Sequence, residues 1–128
     1  MLETQKRVLI VDDEPNIGRI FGLKLKLAGY DVVSTTCGAQ AIELVQTQDF
    51  DVMLLDILMP DVTGMDVLEK VRAFSQIPII IFSAKQDIVD FAMKMGANGA
   101  VSKPLNPDYL IQKIEDILGE RDSQVKLS

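Results

Sequence analysis

Five short runs of aliphatic and β-branched residues recur along the chain, each followed by a longer stretch whose apolar residues return at helical spacing. The runs are Val8 to Val11, Asp31 to Ser34, Val52 to Leu55, Pro78 to Phe82 and Ala100 to Ser102. Between them, Ile17, Ile20, Phe21 and Leu27 predict a first helix, Ala41, Leu44 and Val45 a second, and Val67, Leu68 and Val71 a third. Ile88, Phe91, Ala92 and Met95 predict a fourth. The fifth carries Leu110, Ile114, Ile117 and Leu118, with Asn106 as N-cap, Pro107 at the first helical position and Gly119 past the end. "LKLKL" from Leu23 to Leu27 alternates with strand period, but Gly29 closes that element just before a clearer strand, so it is assigned to the first helix. Strict β–α alternation implies a parallel sheet with helices on both faces, because parallel strands need right-handed crossovers that cover both sides. Runs such as "VMLL" and "PIIIF", with no polar alternation, are what a doubly buried strand requires.

The 128 residues suffice for one domain with a proper core and are too few for two ordinary ones. An apolar fraction of 48% with sparse Gly and Pro excludes disordered and collagen-like classes. No apolar stretch is long enough to span a bilayer, and MLETQKR at the N-terminus lacks the core of a signal peptide, which points to a cytoplasmic protein with no membrane partner. The single cysteine, Cys37, fits a reducing compartment and reads as an ordinary buried or half-buried small side chain. A net charge of −6 argues against this domain gripping nucleic acid through a basic face.

In open parallel sheets, ligands sit beyond the carboxyl ends of the strands. The first strand ends at Asp12 and Asp13, the third at Asp56, the fourth at Ser83 and the fifth at Lys103. Neighbouring strands one, three, four and five would gather three carboxylates, a hydroxyl and an ammonium in one shallow pocket. Clustered carboxylates repel, while Mg²⁺ prefers hard oxygen ligands completed by water. With that metal in place an Asp can act as nucleophile toward a phosphoryl group, and Lys103 and Ser83 can meet the charge on its oxygens. The product would be an aspartyl phosphate.

"VLIVDDEP", "DVMLLDILMPDVTGMDVLEKVR", "IPIIIFSA" and "GANGAVSKP" stand in the order and spacing of the receiver domains of two-component response regulators. The chain resembles that family along essentially its whole length. The resemblance implies a flavodoxin-like α/β fold, a (βα)5 three-layer sandwich whose parallel five-stranded sheet is ordered 2-1-3-4-5. It implies Asp56 as phosphoacceptor, Mg²⁺ held by Asp12, Asp13, Asp56 and the backbone carbonyl of Leu58, Ser83 as switch hydroxyl, and Lys103 paired with the phosphoryl group. It also implies a cis bond before Pro104, a partner sensor histidine kinase or histidine phosphotransfer protein, and an output domain or effector; a phosphorylation-dependent dimer is compatible with it. With no histidine, the chain cannot itself be the phosphohistidine donor. Residues 1–119 then form the receiver, and 120–128 a polar tail or the start of a linker.

Plainer roles compete for several of these residues. Asp51 lies at the wrong strand end, Asp61 and Asp66 read as turn or helix-start residues, Ser83 could cap the fourth helix, and a lysine before Pro104 is ordinarily solvated. Met59 and Pro60 read as a rigid loop, and Gly64 as a backbone position with unusual freedom. The chain departs from the family at Ala100, where most receivers carry an aromatic residue that moves inward with the hydroxyl. Lys85 and Leu58 occupy places that tune dephosphorylation in the family. A phosphohydrolase of the haloacid dehalogenase type would need an acid where Leu58 stands, and a flavodoxin-like cofactor carrier would need a phosphate loop where "DDEP" stands.

Overall fold

The structure, a computed structural model, describes residues 5–57, 59, 63–102 and 106–127. Five strands, β1 (Arg7–Val11), β2 (Asp31–Thr35), β3 (Val52–Asp56), β4 (Ile79–Ser83) and β5 (Gly99–Ser102), alternate with five helices, α1 (Pro15–Leu27), α2 (Gly38–Thr47), α3 (Gly64–Arg72), α4 (Gln86–Lys94) and α5 (Pro107–Leu127). The strands form one parallel sheet in the order β2-β1-β3-β4-β5. Fold class and strand order are those expected.

Successive side chains of a strand point to opposite faces, so each aliphatic run divides between two cores. Leu9, Val11, Met53, Leu55, Ile79 and Ile81 pack with Ala41, Val67, Leu68, Val71 and Ala92 from α2, α3 and α4. Val8, Ile10, Val52, Leu54, Ile80 and Phe82 pack with Phe21, Leu25, Leu110 and Ile114 from α1 and α5. Full burial of one such side chain contributes about 1.5–3 kcal/mol. That gain on both faces explains why no polar residue interrupts the central strands.

Four expectations need correction, the first in α4, where Phe91 is 58% exposed and Ala92 is the buried residue. In α1, Ile20 is 51% and Leu27 77% exposed, while the residues that face the sheet are Gly18, Phe21, Gly22 and Leu25. The helix approaches β2 so closely that a Cβ on Gly18 would lie 3.0 Å from Ser34 Cβ, so glycines occupy positions that periodicity gives to large apolar residues. Gly119 does not end α5, which continues to Leu127. Cys37 is exposed, at the N-cap position of α2. The other punctuation holds: Asn106 Oδ1 accepts from the Asp108 N–H at 2.9 Å, and Gly29 adopts φ +100° after α1.

At the amino ends of the strands, two arginines fasten loops. Arg7 donates from Nε to Asp31 Oδ2 at 2.9 Å, from Nη1 to Asp49 O and from Nη2 to Gln48 Oε1, with Phe50 under its guanidinium. Arg72 donates to Gly96 O at 3.0 Å, Ser75 O at 3.1 Å and Asn98 Oδ1 at 2.8 Å. Partial burial lowers the Arg72 pKa from its ordinary value without bringing deprotonation near neutral pH.

Candidate functional site

Register delivers the acids to one point. Val11 pairs with Leu55 across β1 and β3, so the next residues, Asp12 and Asp56, emerge side by side at the carboxyl edge. Asp56 pairs with Phe82, which sets Ser83 one step further along β4. Carboxylate oxygens of Asp12, Asp13 and Asp56 all lie within 4.8 Å of one another. Asp12 and Asp56 are each 2% exposed and Ser83 3%, while Asp13 is half-buried.

Local backbone contacts aim these groups. The Asp12 N–H donates to Thr35 O at 3.2 Å, tying the end of β1 to the end of β2. The Glu14 N–H donates to Asp12 Oδ1 at 2.8 Å, a turn closed by the aspartate's own side chain. Glu14 is the N-cap of α1 and Pro15 its first residue, yet the Glu14 side chain makes no capping bond. On the other side Gly64 opens α3 against the end of β3, its N–H donating to Ile57 O at 3.1 Å.

Ionised carboxylates this close repel by about 3 kcal/mol per pair at an effective dielectric of ~20. Three convergent, anionic, hard oxygen donors in a largely buried corner suit a divalent cation, and of the common ones they suit Mg²⁺ or Ca²⁺ rather than a metal preferring nitrogen or sulfur. Chemically, the arrangement offers a carboxylate nucleophile, a cation seat and a hydroxyl.

The Ser83 hydroxyl accepts from the Lys85 N–H at 3.1 Å. That bond closes a turn before α4, whose N-cap is Lys85, so Ser83 does not cap the helix itself. Asp51 stands at the opposite edge, its Oδ2 accepting the Arg7 N–H at 2.7 Å. Asp66 belongs to the start of α3, where Thr63 Oγ1 accepts its N–H at 3.2 Å and donates to its carboxylate at 3.0 Å. Ala100 is half-buried against the α4 side of the sheet, paired in register with Ile81. Leu58 and Lys103, expected as metal-carbonyl and phosphoryl partner, lie outside the described residues, as do Pro60, Asp61 and Pro104.

The family model for the response regulator receiver domain matches residues 8–115. The chain belongs to the response regulator receiver domain family. Among relatives, the "Probable transcriptional regulator ycf27" of Guillardia theta is 39% identical over 119 residues, covering 91% of this chain and 47% of that protein. "Response regulator SaeR" of Staphylococcus epidermidis is 38% identical over 114 residues, covering 87% of this chain and 49% of that protein. The receiver thus spans about half the length of these relatives. A solved CheY-like receiver domain protein of Methanospirillum hungatei superposes with a TM-score of 0.88 at 27% identity, covering 94% of this chain and 99% of that one. A receiver domain is a phosphorylation-dependent signalling switch, and this chain is one.

Sequence reasoning missed two parts of the site. Thr35 acts through its carbonyl, which any residue type supplies, so no side-chain signal marks it. Gly64 was expected to need backbone freedom, but it is helical with no positive φ; what it lacks is room, since a Cβ would lie 2.2 Å from Asp56 O.

Proposed function

We propose that Asp56 is the phosphoacceptor of this receiver, and that Asp12, Asp13 and Asp56, with the carbonyl of Leu58, hold Mg²⁺ beside it. The observation that carries this reading is the convergence of three carboxylates within 4.8 Å at the carboxyl edge, next to the buried Ser83 hydroxyl. When bound, Mg²⁺ supplies positive charge that relieves carboxylate repulsion and screens the phosphoryl oxygens. Asp56 Oδ attacks phosphorus; the P–N bond of a donor phosphohistidine breaks; the electron pair leaves on the imidazole nitrogen, which is then protonated. The backbone contacts from Glu14 and Thr35 hold Asp12 still, so little reorganisation is needed as charge arrives. Lys103 pairs with the phosphoryl group once it is present, and the Ser83 hydroxyl, which at rest accepts from the Lys85 N–H, moves to donate its own proton to a phosphoryl oxygen.

The donor is a sensor histidine kinase or a histidine phosphotransfer protein in the cytoplasm, and the readout is an output domain or an effector. The relatives named as regulators, twice as long, support an output domain. The receiver occupies residues 1–119, with 120–128 a polar tail or linker start, and it works as a switch that assists its own phosphoryl transfer and loss rather than as an enzyme. Intact mass spectrometry tests the assignment: a small-molecule phosphodonor with Mg²⁺ should add one base-labile phosphate to the wild type and none to Asp56→Asn. One phosphate on Asp56→Asn overturns it.

A further inference from the structure

β2 is an edge strand, and α1 leaves a groove along it. In a parallel pair, alternate residues direct their N–H and C=O groups to the neighbour. Asp31, Val33 and Thr35 are the ones turned toward β1, the Asp31 N–H donating to Lys6 O and Thr35 O accepting the Asp12 N–H. Val32 and Ser34 therefore present their backbone groups outward, and among the described residues no strand lies beyond them. Natural edges are commonly blunted by Pro, Lys or a covering loop. β2 reads DVVST, and its one charge, Asp31, is taken up by Arg7.

Beside this edge runs a groove of about 430 Å³, lined along α1 by Gly18 and Gly22, whose missing side chains let the helix lie close to Ser34 and Val32. Val32 and Ser34 form one wall, Arg19, Leu23 and Lys26 the other. In a chain of net charge −6, α1 carries Arg19, Lys24 and Lys26 and no acid. Neither Arg19 nor Lys26 forms a salt bridge among the described residues.

We infer that β2 accepts an acidic, extended peptide of a partner protein as a sixth strand. Its backbone pairs with Val32 and Ser34, and its groove-facing side chains read acid, apolar, acid at alternate positions. The spacing fits: Arg19 and Lys26 are about 10 Å apart along the helix, and four residues of strand advance about 13 Å, within reach of the flexible cations. Leu23 lies between them and meets the central apolar side chain. A second copy of this chain is the wrong occupant, because antiparallel pairing of two β2 edges brings α1 against α1 on one face and cation against cation. The groove shares Pro15, Gly18 and Ser34 with a smaller polar pocket that reaches Asp12, so the added strand would end beside the acid cluster.

The probe is the capped peptide Thr-Glu-Thr-Val-Thr-Glu-Thr, titrated into the intact chain with backbone amide shifts and hydrogen exchange as readouts. Saturable binding is expected, with Val32 and Ser34 amides newly protected and shift changes confined to β2 and α1. Affinity should fall about tenfold in Arg19→Glu/Lys26→Glu and stay unchanged in Lys94→Glu, both folded by circular dichroism. The Lys-for-Glu peptide and a peptide N-methylated at alternate residues should not bind. No binding at millimolar peptide, equal binding of the lysine or N-methylated peptide, or a dimer in sedimentation that protects Val32 and Ser34 without peptide would each overturn the inference.

Discussion

Replacing Gly64 by alanine should destabilise the protein by about 2–4 kcal/mol, against the sign that helix propensity gives. Gly64 opens α3. At a helical position alanine gains about 1 kcal/mol over glycine, part of it by restricting the unfolded chain. A Cβ at Gly64, however, would sit 2.2 Å from Asp56 O, 2.4 Å from Ile57 Cα and 2.9 Å from Asp56 C. Favourable carbon contacts lie at about 3.5–4.0 Å. All three offending atoms are backbone, and backbone cannot rotate aside as a side chain can, so relief means moving α3 or the Asp56–Ile57 backbone by about 1 Å. Overpacking typically costs about 1–3 kcal/mol, and against three rigid backbone atoms about 3–5 kcal/mol, which after the propensity gain of about 1 kcal/mol leaves a net loss of about 2–4 kcal/mol. The control is Gly119→Ala, where no atom lies within 4 Å of the new methyl in the middle of α5; it should stabilise by about 1 kcal/mol. Urea denaturation separates the two: with a slope of about 1–2 kcal/mol/M, the midpoint should fall by about 1–4 M for Gly64→Ala and rise for Gly119→Ala. A midpoint for Gly64→Ala at or above wild type refutes the packing argument. A fall for Gly119→Ala refutes a continuous α5.

Mg²⁺ at about ten times its dissociation constant should add about 1.4 kcal/mol, roughly 5 °C in melting temperature. The same shift in Asp13→Ala would count against the carboxylate site. Burial, and secondarily the Glu115 carboxylate, raise the Tyr30 pKa above its ordinary 10.0. The unfolded chain then loses that proton at lower pH than the folded one, so the contribution is intact below about pH 10 and disappears as pH climbs through the folded value. Tyr30→Phe should flatten the decline in denaturation midpoint above pH 10, and an unchanged slope would show that another group sets it. A beryllofluoride complex should break the Lys85 N–H to Ser83 bond, read as a large shift of the Lys85 amide with α2 amides nearly unmoved; the reverse pattern would exclude Ser83 as the moving hydroxyl.

The strands were legible because burial on both faces leaves an aliphatic run with no polar interruption, and the acids because they stand where such runs stop. What stayed hidden follows from close approach rather than from hydrophobicity. Gly18 and Gly22 are buried where periodicity would place Ile20 and Leu27, and at Gly18 α1 lies too near Ser34 of β2 for a side chain to enter freely. Gly64 was read for backbone freedom when what it lacks is room, again a matter of close approach. The Thr35 carbonyl that steadies Asp12 belongs to the backbone and leaves no residue signature. Gly119 misled because a glycine can stop a helix but need not; nothing in α5 turns there.

The two ends of α4 are fastened unequally. At its carboxyl end Gly96, with φ +111°, and Asn98 are gripped by Arg72, and Asn98 Oδ1 also accepts the Ile79 N–H at 2.8 Å, so helix, α3 and β4 are riveted together. At its amino end, among the described residues, the Ser83 hydroxyl meets one amide, that of Lys85. A rod clamped at one end and latched at the other behaves as a lever: releasing the latch swings the end beside the acids most and the Arg72 end least. Travel along α4 should therefore diminish residue by residue from Gln86 to Lys94, and a partner gripping the helix near Lys85 would feel the phosphate far more than one gripping it near Lys94.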